Sequence, residues 1–198
     1  MHVTVRDTRR IDVGTISRIG LGLSLTPLLL VAAGSSVKEA TALNETRTLS
    51  FHHTHSGEDL TVTFKRNGRY DEEALKKINH HLRDWRSQDS TTMDRRLFDI
   101  LWEVYRDVGG KQPINIISAY RSPKTNEMLR ATSSGVAENS QHTKGHAMDF
   151  FIPGIPLSKL RAVAMRKQVG GVGFYPTSGS PFVHLDTGSV GAWARLDR

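Results

Sequence analysis

Two short segments of the chain carry side chains that could bind one metal ion together. His142 and Asp149 are seven positions apart, and His184 lies further along the chain. Two imidazoles and one carboxylate can hold a zinc ion and leave a fourth coordination position open for water, which is the pattern of catalytic rather than structural zinc. These residue types therefore predict a Zn²⁺ site and a hydrolase.

The local sequence places both segments in strands. Asp149 stands within the apolar run 147–152, and His184 stands within the apolar run 182–185. A carboxylate in an apolar strand is costly to bury unless it is paired or bound to a metal. The alternative is that Asp149 pairs with an arginine while both histidines fill the core, and the residue types alone leave both interpretations open.

Two further residues are candidates for catalytic roles. Asp186 lies two positions after His184, so both side chains point to the same face of a strand. Asp186 could orient His184 through a hydrogen bond or act as a general base, and the spacing does not decide between these roles. Arg121 lies between a buried strand and the start of a helix. That position suits a fixed cation that grips a carboxylate or a polarised carbonyl, with a structural ion pair as the alternative.

The elements that must position these residues mix helices with strands of the antiparallel type. Their order shows no βαβ regularity, which predicts an α+β fold. The apolar patterns and turn signals predict strands at 46–53 and 60–66, which form a β-hairpin, and at 114–118, 147–152, 172–175 and 182–187, with helices at 71–87, 94–108, 123–131 and 157–168.

Five histidines lie in two groups before the candidate metal site. Three of them crowd the turn of the predicted hairpin, and two fall off the apolar stripe of the first predicted helix. The group of three could form a metal cluster, but it has no accompanying carboxylate pattern and no apolar surround. We therefore interpret all five as surface residues: His52, His53, His55, His80 and His81.

Composition limits the classes of function. The 198 residues suit one domain and include no cysteine, so disulfides and thiolate chemistry are excluded and any metal must be held by His, Asp or Glu. The formal net charge is +7, but the basic residues are dispersed rather than gathered in one block. If the protein is exported, this charge leaves two polyanionic partners open, the membrane surface and the anionic cell-wall polymer, and makes nucleic acid less plausible.

The first part of the chain predicts export. Residues 1–42 combine four early arginines, an apolar run at 19–33 and the small residues of an Ala-Thr-Ala cleavage pattern at 40–42. The apolar run is shorter than the roughly 20 residues that span a bilayer. The Arg9-Arg10 pair leaves the twin-arginine and the ordinary secretory routes both open. We expect cleavage after Ala42, a periplasmic protein without a membrane span in its mature form, and a catalytic domain at 43–198. The alternative is an uncleaved signal that acts as an anchor.

Several motifs in order resemble the M15-type zinc D-Ala-D-Ala peptidases. The segment SAYRS at 118–122, with Asn126 after it, resembles the element S-G-Y-R-S-x-x-x-N of that family. The segment at 140–149 matches the element S-x-H-x-x-G-x-A-x-D at every fixed position. The segments GVGFY at 171–175 and FVHLD at 182–186 resemble the C-terminal part of one branch, the YcbK-like proteins. The resemblance covers residues 46–195.

This resemblance implies a fold, a cofactor and a reaction. The fold would be the hedgehog/DD-peptidase α+β fold, with a small antiparallel sheet flanked by helices. One Zn²⁺ would be bound by His142, Asp149 and His184, and Arg121 would bind the substrate or its transition state. The reaction would be hydrolysis of amide bonds in peptidoglycan, and in this branch of meso-diaminopimelate cross-links, with preference for the 3-3 type.

One departure from the family pattern concerns the general base. Many M15-type enzymes place an acid or histidine three residues before the last zinc ligand, where this chain has Pro181. Proline carries no proton acceptor in its side chain, so that role does not transfer. Asp186 is our candidate for the base, and His146 is a weaker one. We predict an exported zinc murein endopeptidase, with a D-amino-acid carboxypeptidase and a non-catalytic, zinc-containing wall-binding module as alternatives.

Overall fold

The computed structural model describes residues 45–133 and 136–195. The predicted signal peptide and its cleavage point lie outside these residues. Within them, eight strands form one sheet and four helices pack with it. The strands are β1 (Thr46–His53), β2 (Asp59–Arg66), β3 (Arg69–Tyr70), β4 (Ile114–Ser118), β5 (Ala147–Phe151), β6 (Gly171–Tyr175), β7 (Phe182–Asp186) and β8 (Gly191–Ala194), and the helices are α1 (Glu72–His81), α2 (Arg95–Val108), α3 (Pro123–Thr132) and α4 (Leu157–Arg166).

The sheet confirms the α+β class but is larger than the small antiparallel sheet that we expected. Its strand order is β3-β2-β1-β4-β5-β7-β6-β8. Most neighbours are antiparallel, but β1 pairs with β4 in parallel, and β6 pairs with β8 in parallel. Parallel neighbours need a long connection, which α1 and α2 provide between β1 and β4. The helical crossover therefore accounts for the parallel pairing of β1 with β4, whereas β8 pairs with β6 after the intervening strand β7. The local strand patterns could not reveal either pairing.

The helical core lies on one face of the sheet, and the candidate site lies on the other. In β5 the residues Met148 and Phe150 are fully buried in the core, whereas Asp149 between them points to the opposite face. In β7 the residues Val183 and Leu185 alternate with His184 in the same way. Alternate residues of these strands therefore face either the hydrophobic core or the candidate site.

Helix α2 shows how the sequence builds this core. Its buried residues recur at the helical spacing and form one apolar stripe. Asp94 caps the helix by accepting a hydrogen bond from the Arg96 N–H, and Gly109 ends it in the left-handed conformation at φ 71°. The buried residues of this stripe are Leu97, Phe98, Leu101, Val104 and Val108.

Helix α1 ends six residues earlier than the sequence predicted. Asp71 caps its start by accepting a hydrogen bond from the Ala74 N–H, but the helix stops at His81. The Leu82 carbonyl accepts a hydrogen bond from the Tyr120 N–H at 3.0 Å, and the buried carboxylate of Asp84 accepts one from the Ser122 N–H at 2.9 Å. The segment after α1 is therefore tied to the chain that carries Arg121.

The interpretation of the five histidines as surface residues was wrong for two of them. His53 is 1% exposed and His81 is 5% exposed. His53 shares the inward face of β1 with Leu49 and Phe51, since alternate residues of a strand point the same way. Its Nδ1 accepts hydrogen bonds from backbone N–H groups of the following turn. No helix among the described residues is long and apolar enough to cross a membrane.

Candidate metal centre

Strand register brings the predicted ligands together. Asp149 on β5 lies directly opposite His184 on β7. His142 comes from a 3₁₀ helix, Gln141–Lys144, whose start is capped by Ser140 and whose end is Gly145 at φ 70°. A Cβ atom at Gly145 would lie 2.8 Å from a side-chain carbon of Thr91, so both the left-handed backbone and the close packing require glycine here.

The three ligand atoms form a small, buried triangle. His142 Nε2 lies 3.3 Å from Asp149 Oδ1 and 3.2 Å from His184 Nδ1. His184 Nδ1 lies 2.8 Å from Asp149 Oδ1. Ligand atoms about 2.0–2.1 Å from a tetrahedral zinc ion are roughly 3.3 Å apart. The side chains that the sequence predicted as ligands thus meet at the spacing that one metal ion requires.

The outer nitrogen atoms of both histidines are held by acceptors. His142 Nδ1 lies 2.7 Å from the Ala119 carbonyl oxygen, and His184 Nε2 lies 3.0 Å from Asp186 Oδ2. Because a carbonyl and a carboxylate only accept hydrogen bonds, these two nitrogens carry the protons. In the neutral rings, the facing nitrogens and Asp149 Oδ1 then present three lone pairs to one point, which favours a bound cation.

The electrostatics of the buried cluster show that it attracts positive charge. Burial opposes the charged form of His184, but hydrogen bonds to Asp149 and Asp186 outweigh it and raise the pKa of His184 to about 9. Burial and the charges of neighbouring cations lower the pKa of His142. Burial favours the neutral form of Asp149, yet both histidines together lower its pKa well below the usual range. The site therefore keeps its carboxylate ionised and attracts one positive charge.

Both oxygen atoms of Asp186 have fixed partners. Oδ2 accepts from His184, while Oδ1 accepts from the N–H groups of Gly171 at 2.9 Å and Gly188 at 2.8 Å. Burial tends to raise the pKa of Asp186, but these hydrogen bonds lower it overall. The carboxylate is thus held ionised behind His184, on the side of the ring away from Asp149.

Arg121 lies beside the ligands at the edge of the same site. Its backbone N–H donates to the His142 carbonyl at 3.2 Å, and its Nη1 donates to Asn126 Oδ1 at 3.2 Å. Burial lowers the pKa of Arg121, partly offset by the nearby charge of Asp149. Within residues 45–133 and 136–195, Arg121 makes no ion pair at 4.0 Å or less, so the structural ion pair that we considered as the alternative is not present there.

A cavity of about 450 Å³ opens beside the three ligand atoms. Arg121, Asp149 and Asp186 line it with both histidines, and the rest of the wall is mostly polar or aromatic. The structure therefore places all five predicted site residues around one cavity. The wall also includes Ser140, Gln141, Tyr175, Phe182, Trp193 and Arg195.

Comparison with known proteins identifies the family. The family model of M15-type peptidases described as peptidoglycan L,D-endopeptidase MepK matches residues 41–193. The chain belongs to this family. It is 39% identical over 187 residues to the peptidoglycan L,D-endopeptidase MepK of Escherichia coli K12, which covers 94% of this chain and 98% of that relative. It is 38% identical over 180 residues to the probable peptidoglycan L,D-endopeptidase MepK of Haemophilus influenzae, covering 90% and 92% of the two chains.

Membership of the family confirms the predicted M15-type kinship and the predicted peptidase class. It also settles the choice between an enzyme and a wall-binding module without catalysis in favour of the enzyme. Pro181 stands in this chain at the position of the general base of other M15-type enzymes. It is exposed and lies outside the cavity wall, and His146 also lies outside that wall. Among the described residues of this chain, the candidates for a proton carrier are therefore the other groups that line the cavity.

Two features of the site were missed by sequence reasoning. Asp84 is 2% exposed and holds the backbone beside Arg121 through the Ser122 N–H. Its sequence neighbourhood gives no signal for this role, because the partner lies 38 residues away. Trp193 on β8 was also missed, although its ring lies 5.2 Å from the ring of His184. An isolated tryptophan near the end of a chain carries no pattern that would have placed it there.

Proposed function

We propose that this peptidase is an exported, zinc-dependent murein endopeptidase that hydrolyses peptide cross-links of peptidoglycan. The observation that carries the proposal is the convergence of three lone pairs, from His142, Asp149 and His184, on one point at the wall of an open cavity. The curated relatives are named for the same class of substrate and for an L,D bond. A 3-3 cross-link between two meso-diaminopimelate residues contains such a bond.

The three predicted ligands would hold the metal ion in this proposal. Bound zinc polarises a carbonyl group and lowers the pKa of bound water from 15.7 to roughly 7. Ala119 and Asp186 fix the two imidazole rings in the orientation and tautomer that ligation needs. The chain thus supplies a rigid donor set on two strands and one short helix.

Arg121 would act on the substrate rather than on the protein. Its guanidinium lines the cavity, and its buried Nε has no hydrogen-bond partner among the described residues, so the protein does not use all of its donors. A fixed cation beside a scissile amide stabilises the negative charge that develops on the carbonyl oxygen. We assign this role to Arg121.

Asp186 would position His184 instead of serving as the general base. Its carboxylate already accepts three hydrogen bonds from the protein, and its pKa is lowered. A general base near neutral pH needs a pKa close to that range. The sequence left both roles of Asp186 open, and the contacts support the orienting one.

Defined cross-linked muropeptide dimers test this proposal. The zinc-loaded protein should convert 3-3 dimers to monomers, and His184→Ala should abolish that conversion. His80→Ala is the matched control, because His80 is an exposed histidine away from the cavity. Dimers that persist while their stem peptides lose a terminal D-amino acid would show a carboxypeptidase instead, and dimers that persist unchanged would refute a wall hydrolase.

Export belongs to the same proposal, since peptidoglycan lies outside the cytoplasm. Residues 1–42 carry the n-region, apolar run and cleavage pattern of a signal peptide. Fusion of this segment to a reporter that matures only in the periplasm should give signal. Replacement of Arg9 and Arg10 by lysines should abolish the signal if the route is twin-arginine, and should leave it unchanged if the route is the ordinary secretory one.

A further inference from the structure

Three aromatic side chains form one wall of the cavity beside the candidate metal centre. We call the group of Tyr175, Phe182 and Trp193 the aromatic wall. The first two belong to neighbouring strands, where Tyr175 lies directly opposite Phe182. Their rings stack at 4.5 Å between centroids, with planes 17° apart. The ring of Tyr175 is therefore held on one side by Phe182.

The tryptophan reaches the site because β6 carries glycine where it crosses. Trp193 on β8 lies opposite Gly173 on β6, and Gly173 lies opposite His184 on β7. A Cβ atom at Gly173 would lie 2.8 Å from Cε2 and Nε1 of Trp193, and one at Gly171 would lie 2.9 Å from Cζ3. Only a strand without side chains at these positions lets the indole lie across it towards His184.

The indole fixes the hydroxyl group of Tyr175. Trp193 Nε1 donates a hydrogen bond to Tyr175 Oη at 2.8 Å. Since the hydroxyl oxygen accepts from the indole, its own proton remains available to a third group. Among the described residues, no acceptor takes that proton. The tyrosine is thus a hydrogen-bond donor held in place by two rings, with its proton unused by the protein.

Tyr175, which carries this available proton, lines the same cavity as Arg121 and the predicted metal ligands. Tyr175 lies two residues after Gly173, the residue of β6 that pairs with His184, so its side chain lies on the same face of the sheet as that ligand. A carbonyl oxygen in this cavity would thus have a cation and a neutral donor among its neighbours. Such fixed donors stabilise an oxyanion strongly, because they need not reorganise during the reaction.

We propose that Tyr175 is a further catalytic residue, which donates a hydrogen bond to the scissile carbonyl oxygen as that oxygen gains negative charge, and that Trp193 is its positioning residue. This inference rests on the proposed function. In the hydrolysis a water oxygen bonds to the carbonyl carbon, the C–N bond breaks, and one proton of the water ends on the leaving amine. Tyr175 keeps its own proton throughout, so it supplies a hydrogen bond and no proton transfer.

Removal of the Tyr175 hydroxyl group tests the inference, with the zinc-loaded protein and a defined 3-3 dimer. Tyr175→Phe should lower kcat about 100-fold, the usual effect of one lost oxyanion donor, and leave KM within about twofold. Affinity for a phosphinate analogue of the scissile bond, measured by calorimetry, should fall by a similar factor. Zinc content and the thermal unfolding midpoint should stay unchanged, because the stacked ring remains.

The tryptophan gives a second, independent readout. Trp193→Phe keeps an aromatic ring but removes the N–H group, so kcat should fall about tenfold. In the double variant kcat should fall no further than in Tyr175→Phe alone, since Trp193 acts through the tyrosine hydroxyl. Tyr105→Phe is the matched control, because the Tyr105 hydroxyl donates to the Gln112 carbonyl away from the cavity. Its kcat should equal that of the wild type.

Three results would overturn the inference. A Tyr175→Phe variant that keeps kcat and analogue affinity while the wild type cleaves dimers would refute it and leave the proposed function intact. A variant that loses zinc or melts early would show a structural role. Wild-type protein that cleaves no dimer would refute the proposed function, and this inference with it. If Trp193→Phe fails to fold, Tyr175→Phe still decides the role of the tyrosine.

Discussion

His184 Nε2 donates a hydrogen bond to Asp186 Oδ2 at 3.0 Å, on the side of the ring opposite the Asp149 contact. In the proposed function, Asp186 would therefore act on the metal through His184. We predict that Asp186→Ala weakens zinc binding by about 10–100-fold, the usual effect of losing such a partner. Competition with a chromophoric zinc chelator measures this affinity directly.

The same variant separates the two roles that the sequence left open. If Asp186 orients His184, excess zinc should restore much of the activity of Asp186→Ala. If Asp186 is instead the general base, the variant should bind zinc normally and lose kcat together with the acidic limb of its pH–rate profile. Glu73→Ala, at an exposed acid of α1, is the control and should change neither quantity.

Local patterns were sufficient to predict the elements that hold the ligands. The apolar strands around Asp149 and His184 appear in the structure almost where their alternation placed them. The burial of His53 could also have been predicted, because it follows Leu49 and Phe51 at the strand period of two.

Contacts between distant segments could not be predicted from these patterns. The early end of α1 depends on the Leu82 carbonyl, which pairs with Tyr120 far along the chain. The place of the Trp193 ring across β6 depends on glycines at 171 and 173, which leave room for it. Each is a tertiary relationship, and tertiary contacts regularly override local preference.

Asp84 should be important for both stability and catalysis. Its buried carboxylate accepts from the Ser122 N–H at 2.9 Å and from the Arg86 N–H at 3.0 Å. Asp84→Ala leaves these donors unpaired, so we expect a loss of about 2–3 kcal/mol in the free energy of unfolding. Because Ser122 follows Arg121, we also expect lower kcat/KM. Urea denaturation and steady-state kinetics on a cross-linked dimer measure the two effects.

An exposed acidic residue on the neighbouring helix serves as the control for Asp84→Ala. Glu127→Ala changes an exposed carboxylate on α3, the helix that begins directly after Arg121 and Ser122. It should alter the free energy of unfolding by no more than about 0.5 kcal/mol. Equal destabilisation by both variants would contradict the role that we assign to Asp84.

Gly173→Ala should disturb the site without touching a ligand. The new methyl group would lie 2.8 Å from Trp193 and from Tyr175 Cε2. Overpacking of this kind costs about 1–3 kcal/mol, and the displaced indole should also lower kcat. Gly179→Ala is the control, because a Cβ atom there meets nothing within 4 Å. Thermal unfolding and kinetics of the two variants should therefore differ, and similar behaviour would contradict the described packing.

The buried histidine of β1 should make stability depend on pH. Burial, followed by the charges of His81 and His55, lowers the pKa of His53 to about 4 from an ordinary value of 6.5. The unfolded chain therefore binds a proton at higher pH than the folded protein does. As pH falls from about 6.5 to about 4, this difference should remove up to about 3 kcal/mol from the free energy of unfolding.

His53→Asn isolates that contribution. The asparagine oxygen can still accept from the N–H groups of His55 and Ser56, which bond to Nδ1 in the wild type, but it does not titrate. Chemical denaturation at about pH 7 and about pH 5 should show a smaller loss of stability for the variant than for the wild type. An identical loss in both proteins would mean that His53 is not the group responsible.

Removal of metal should destabilise the protein and abolish hydrolysis together. His142 Nε2, His184 Nδ1 and Asp149 Oδ1 face one another within 3.3 Å, so a bound cation stabilises the folded state and is lost on unfolding. A ligand at about 100 times its dissociation constant adds about 2.7 kcal/mol. Treatment with a chelator should therefore lower the unfolding midpoint, and Zn²⁺ should restore it. Mg²⁺ should not, because it prefers octahedral oxygen ligands. In His142→Ala the midpoint should no longer respond to chelator or zinc, and a response of wild-type size would place the metal elsewhere.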